Sequence, residues 1–251
     1  SRVEVLELDV CNKESISNAK KYIQNKFPEE PKPLYGIVNN AGVAAGIVDE
    51  EVTIENLQKC LDVNVYGLKN VTDEFVELIH DNGRIVNVTS ASGPSFVATC
   101  NEDEQKMLIN SQTDWPTLEK FINKCLVDPT KVGDGDEYGI SKACANLLTL
   151  QYAVQYPNLL INACTPGFIE TDLTKPYLTQ SGKSANDIGM LKPKKGTVSI
   201  LHCLFNETMK DDNNGINTGL YFGSDAIRSP MHMYRGPGDD PYDGGKEKEW
   251  F

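Results

Sequence analysis

Tyr138 and Lys142 stand four positions apart in the stretch Asp136-Glu137-Tyr138-Gly139-Ile140-Ser141-Lys142. On a helix, that spacing puts both side chains on one face, a single turn apart. The residues that follow have a helical period: Ile140, Cys144, Leu147, Leu148 and Val154 recur at near-helical spacing until Pro157. A phenol beside a fixed ammonium is favoured in its ionised form, so the Tyr138 pKa is expected to fall from about 10 toward working pH, where the group serves as a general acid or base. The plain alternative is a solvated helix face with an incidental tyrosine and lysine, and Y-x-x-x-K alone is too short to decide between them.

The elements that must carry such a pair are legible around it. Residues 3–10 are rich in branched side chains and end at an acidic residue, as a sheet strand would. Residues 13–27 have an amphipathic helical pattern, with Ile16, Ala19, Ile23 and Phe27 on one face. Residues 34–38 form a short strand pattern that runs into Asn39-Asn40-Ala41-Gly42, where small and amide residues permit close backbone approach to a ligand. A long helix is predicted from Thr53, with Leu57, Leu61, Asn64, Leu68, Val71, Phe75 and Leu78 along one stripe. Asn64 interrupts that stripe, and a buried amide must be paired, so it either holds a structural contact or belongs to a polar site. Residues 83–90 are a further strand ending in Thr89 and Ser90, and residues 159–164 are another, followed by the sharp turn at Pro166-Gly167. A helix over 194–205 and a last strand over 218–223 complete the pattern. Polar residues at successive strand ends predict an α/β fold, a doubly wound parallel sheet of Rossmann type with its ligands at the carboxyl edge. Residues 94–135 are mixed in character, with one possible helix over 118–126, and have the pattern of an insertion. The expected organisation is one domain over 1–223 with that insertion inside it, and a tail over 224–251, rich in Gly, Pro and Asp, wrapping the surface.

Composition narrows the function classes. The chain has 251 residues, 39% hydrophobic and 24% charged, enough for one sizeable core. A formal charge of −12 with no basic cluster argues against nucleic acid and anionic membranes as partners. No apolar run approaches the roughly 20 residues that span a bilayer. Seven widely spaced cysteines without a C-x-x-C pair predict free thiols in a reducing, cytoplasmic setting, and no metal site.

The ordered set Leu8-Asp9-Val10, Asn39-Asn40-Ala41-Gly42, Asn64 with Gly67, Ser90 within Thr89-Ser90-Ala91-Ser92-Gly93, Tyr138 with Lys142, and Pro166-Gly167 with Thr171 resembles the short-chain dehydrogenase/reductase family to about residue 223. Within it, the long gap between Ser90 and Tyr138 and the turn over 162–172 are similar to those of carbonyl reductases. The resemblance implies an oxidoreductase moving a hydride between NADP(H), or alternatively NAD(H), and a small carbonyl or alcohol substrate, in the direction of carbonyl reduction. It implies a catalytic set of Asn64, Ser90, Tyr138 and Lys142. Tyr138 would donate the proton, Ser90 would bond the same oxygen, Lys142 would bind the nicotinamide ribose, and Asn64 would hold a helix kink and a water beside the lysine. Asp9 and Val10 would meet the adenine, Asn39, Asn40, Ala41 and Gly42 the adjoining ribose, and Ile169, Glu170 and Thr171 the carboxamide and phosphate. The insertion would cover the helices through which family members pair, leaving a monomer.

One departure stands against the likeness. The family's opening strand and glycine-rich turn, T-G-x-x-x-G-x-G, are absent from this sequence, so an N-terminally truncated fold is expected, with strands 3–10 and 34–38 each facing a gap. That absence also motivates the alternative of a non-catalytic relative acting as a binding or regulatory module.

Overall fold

The computed structural model describes residues 3–45, 52–207 and 218–245. At its centre is a mixed sheet of five strands in the order β1 (Leu34–Asn39), β2 (Ile79–Val88), β3 (Leu160–Cys164), β4 (Tyr221–Phe222) and β5 (Arg228–Ser229). The first four are mutually parallel and β5 runs antiparallel to β4. Helices flank the sheet, giving a Rossmann-like α/β domain.

Several elements follow from local chemistry. Helix α1 (Lys13–Lys26) opens where Asn12 Oδ1 accepts from the N–H groups of Glu14 (2.9 Å) and Ser15 (3.1 Å). It buries Ile16 and Ala19 against Val71, Phe75 and Leu78. The helix expected from Thr53 is present, with Thr53 as its cap, but in three pieces: α2 (Ile54–Leu61), a π-helical segment Asp62–Gly67, and α3 (Leu68–Phe75), ending in the 3₁₀ turn Val76–Leu78. Gly67 is needed there, because a Cβ would come within 2.7 Å of Val10 Cγ2.

The structure corrects the expectation of a strand over 3–10. Those residues make no ladder, the chain turns at residue 10, and residues 3–9 are exposed. The pattern has strand character, but a strand exists only through paired backbone groups, and no described strand lies outside β1 to supply them. Strand β2 begins earlier than expected, at Ile79, and is irregular between its pairings with Leu34 and Gly36. Asn82, at φ 63°, makes the bend, a conformation its short amide tolerates. Strand β4 is shorter than residues 218–223 promised, since Gly219 turns the chain at φ 72°.

The segment 94–135 is largely helical, with two helices besides the one expected over 118–126. It folds as α4 (Ser92–Thr99), α5 (Glu102–Ile109) and α6 (Trp115–Val127), and buries Phe96, Leu108, Leu118 and Ile122. Helices α4 and α5 pack on α7 (Glu137–Gln155), which is covered on nearly every face. Val154 departs from the expected apolar stripe and is half-exposed. Beyond β3 come α8 (Lys175–Ser181), not expected from sequence, and α9 (Pro193–Phe205). The last segment does more than wrap the surface, since it contributes β5 and buries Met231 and His232. No disulfide forms; six cysteines are buried and Cys11 is exposed.

Candidate active site

A cleft of about 530 Å³ opens at the carboxyl ends of the parallel strands. It is lined by Asn40 and Gly42 after β1, Ser90 after β2, Tyr138 and Lys142 on α7, and Ile169 and Thr171 after β3. Residues from four separate stretches of sequence therefore meet at the crevice where open parallel sheets take ligands.

Ser90 is fixed by its own turn. Its Oγ accepts from the Ser92 N–H at 3.2 Å and lies 3.3 Å from Ser92 Oγ, while its carbonyl accepts from Gly93 N at 3.1 Å and starts α4. Tyr138 and Lys142 lie on the first turns of α7, as their spacing predicted, with Lys142 Nζ 5.5 Å from the centre of the Tyr138 ring. Lys142 is only 4% exposed, and Nζ donates to the Val88 carbonyl at 3.2 Å. Burial pulls its pKa down to about 8.

The expected lowering of the Tyr138 pKa is not what the structure gives. Burial pushes it up to about 12, with the Ser90 side-chain hydrogen bond acting in the opposite direction and nearby Asp136 adding to the rise. A phenolate is costly to desolvate, and the ammonium meant to stabilise it is itself buried and lies over the ring. Tyr138 thus remains the neutral, proton-carrying phenol across the working range.

Asn64 is buried but does not line the cleft. Its Oδ1 accepts from Val43 N at 2.9 Å, and its Nδ2 donates to Val43 O and Ser141 Oγ, each at 2.9 Å. Ser141 Oγ in turn donates to the Tyr138 carbonyl at 2.8 Å. A π-helical segment inserts one residue into the turn, and here the widened turn carries the amide that ties the loop after Gly42 to the start of α7. Neither Val43 nor Ser141 was singled out from sequence, though Ser141 directly precedes Lys142.

The loop after β3 forms the opposite wall. Gly167, at φ 86°, turns it. Thr174 Oγ1 then donates to the Ile169 carbonyl at 2.5 Å and accepts from Thr171 N at 3.0 Å. Ile169 bridges to Leu191 in parallel, and α9 approaches so closely at Gly196 that a Cβ would meet Ile169 Cγ1 at 3.0 Å. Tyr177 of α8, which sequence did not flag, completes this wall.

Five residues expected at the cofactor lie outside the cleft lining or turn elsewhere. Asp9 binds its own turn, its Oδ1 accepting from Cys11 N at 2.9 Å, while Val10 packs against Gly67 and the α1 cluster. Asn39 points into the sheet, its Nδ2 donating to Asn87 Oδ1 (2.8 Å) and Thr72 Oγ1 (3.0 Å). Ala41 is exposed beside Gly42, and Glu170 pairs with Lys192 at 2.6 Å.

A nicotinamide nucleotide fits this cleft at its ribose end. Glycine at position 42 keeps the floor open, since a Cβ there would stand 3.3 Å from both Lys142 Nζ and Asn64 Oδ1. An ammonium as buried as Lys142 calls for more acceptors than one carbonyl, and ribose hydroxyls are of the right kind. The T-G-x-x-x-G-x-G turn that would cradle a pyrophosphate is not in this sequence. Among the described residues no cluster of His, Cys, Asp and Glu could hold a metal, and no helix is long and apolar enough to cross a membrane.

Comparison with known proteins bears on the family and the fold. The family model described as short chain dehydrogenase matches residues 1–100. The NADPH carbonyl reductase 1 of Rattus norvegicus is 27% identical over 187 residues, 70% of this chain and 66% of that protein. The (+)-neomenthol dehydrogenase of Arabidopsis thaliana is 29% identical over 197 residues, 66% of this chain and 64% of its own length. The matched region thus spans somewhat under two thirds of these curated relatives. Among solved structures, salutaridine reductase from Papaver somniferum superposes with a TM-score of 0.64 at 23% identity, covering 85% of this chain and 80% of that one. An NADPH-bound carbonyl reductase from chicken fatty liver gives 0.60 at 17% identity, covering 90% and 76%. These structures share the fold.

Proposed function

We propose that the chain is a member of the short-chain dehydrogenase family and, from that premise, an NAD(P)(H)-dependent oxidoreductase reducing a ketone or aldehyde, with NADP(H) the preferred dinucleotide. The observation that carries this reading is the convergence of Ser90, Tyr138 and a buried Lys142 on one cleft at the sheet's carboxyl edge. The preference for NADP(H) leans on the carbonyl reductase relatives, whose names specify NADPH.

When bound, the dinucleotide supplies the hydride. The protein's part is to orient the carbonyl and supply a proton. Tyr138, held neutral by burial, donates its phenolic proton to the oxygen on which negative charge develops, and the Ser90 hydroxyl donates a hydrogen bond to the same oxygen. Lys142 holds the ribose through its ammonium, and Asn64 fixes the loop carrying Gly42 against α7 so that these groups stay in register. Asn40, Ile169 and Thr171, which line the cleft, would complete the dinucleotide's surroundings.

The test is a screen of mixed carbonyl compounds against the full-length protein, following NADPH and NADH oxidation. Turnover is expected, and Tyr138→Phe should lower kcat by about 10²–10⁴-fold while leaving dinucleotide affinity nearly intact. A variant retaining more than half the wild-type rate, with chemistry rate-limiting, would remove Tyr138 from its role. Absence of turnover with every carbonyl would favour a binding or regulatory module.

A further inference from the structure

A second cavity, of about 350 Å³, adjoins the first, and Ser90, Ser92 and Phe168 line both. Its remaining walls are Leu191, Tyr221 and a stretch from the last segment of the chain that includes Tyr234 and Arg235. That stretch lies beyond the ordered motifs by which the sequence resembles its family.

The wall is held by a two-pronged ion pair. Arg235 Nη1 donates to Asp225 Oδ1 at 3.1 Å and Nη2 to Asp225 Oδ2 at 2.9 Å, with the arginine side chain only 6% exposed. The same carboxylate accepts from Ile227 N (3.2 Å) and Gly238 N (3.0 Å), and Arg235 Nε donates to the Asp240 carbonyl at 3.0 Å. Gly223 makes room for the pair, since a Cβ there would come 2.7 Å from Asp225 Oδ1 and 3.1 Å from Arg235 Nη1. Paired, partly buried guanidinium–carboxylate contacts with ideal two-point geometry hold their surroundings firmly.

The residue beside this anchor behaves differently. Tyr234 is 53% exposed, and its ring borders the cavity. Phe168, Leu191 and Tyr221 supply the other apolar surface, and the only charged residue among the lining, Arg235, is neutralised by Asp225. Such a site rewards a flat, uncharged, apolar group and offers an anionic one no free partner.

We propose that residues 225–237 form the outer wall of the carbonyl-substrate pocket, and that Tyr234, positioned by the Arg235–Asp225 pair, selects uncharged aryl ketones and aldehydes. This rests on the proposed reductase function, because the cavity matters through its shared Ser90. The carbonyl oxygen would sit at Ser90 and Tyr138, with its aryl substituent between Phe168, Leu191 and Tyr234.

The experiment compares acetophenone with butanone as substrates of the full-length protein, and separately follows binding of 1-phenylethanol by saturation-transfer NMR. Tyr234→Ala should lower the kcat/KM ratio of acetophenone to butanone about tenfold, chiefly through KM, and abolish the 1-phenylethanol signal. Tyr234→Phe should preserve both, and Asp225→Asn should lower the ratio with the ring still present. A ratio unchanged in Tyr234→Ala would overturn the inference while turnover itself upheld the reductase reading. If no carbonyl is turned over, the reductase reading fails, and binding decides the inference alone. It then stands if Tyr234→Ala loses the 1-phenylethanol signal, and falls if wild type shows none or the variant binds equally.

Discussion

Lys142 carries the pH dependence of the site. Its burial lowers the folded-state pKa to about 8, below the ordinary 10.5. Between those values the folded state binds fewer protons than the unfolded one. The penalty of burying the ammonium is therefore present at lower pH and is relieved as pH rises from about 8 toward 10.5. The charge proposed to hold the ribose is lost over the same window. Dinucleotide affinity of the full-length protein, measured by calorimetry, should therefore weaken as pH is raised above about 8, by up to about tenfold per unit. Lys142→Arg should flatten that profile, and a wild-type profile already flat to about pH 9.5 would mean the ammonium does not bind the dinucleotide. At this scale the sequence was informative about identity and spacing: Tyr138 and Lys142 share a face, and the amide of Asn64 in an apolar stripe did mark a bonded position. The direction of the Tyr138 shift was not legible, because the phenol's burial depends on residues far away in the chain.

Helix α4 meets α7 at Gly93 with no room to spare. A Cβ there would lie 2.9 Å from the Lys142 carbonyl carbon, 3.0 Å from Ala143 N and 3.1 Å from Asn146 Nδ2. Two of these are backbone atoms of the helix that carries the proposed catalytic pair, so the strain cannot be relieved by turning a side chain. Gly93→Ala should destabilise the fold by roughly 1–3 kcal/mol through overpacking, seen as a lower melting temperature by scanning calorimetry. A melting temperature within a degree of wild type would show that α4 shifts freely on α7. The same pair of elements shows where the sequence was opaque. Helix α4 begins with Ser92, Gly93 and Pro94, residues that read as a turn, and its apolar Phe96 and Val97 are adjacent rather than periodic. Helix α5 is only eight residues long, although Asn101 and Glu104 form a capping box that was there to be read. Residues 3–10 failed in the opposite sense, since their composition favours a strand but no described strand stands beside them.

At the scale of the molecule, β1 is the outermost strand of the sheet among the described residues, bonded to β2 on one side. Parallel strands use alternate residues for each neighbour, so part of its backbone has no ladder partner among the described residues. By contrast β2 lies between β1 and β3, and α7 is packed on nearly all sides. Opening free energies in a domain follow such differences. Deuterium uptake by this 251-residue chain, followed by mass spectrometry, should be fast over residues 34–39 and slow over residues 84–90 and 138–152, and equal uptake in the two groups would show that β1 is as protected as the interior. The cleft is then built from two materials: a margin strand, β1, whose outer backbone groups can open to solvent, and a rigid bed holding Ser90, Tyr138 and Lys142, to which the Asn64 amide clamps the loop after Gly42.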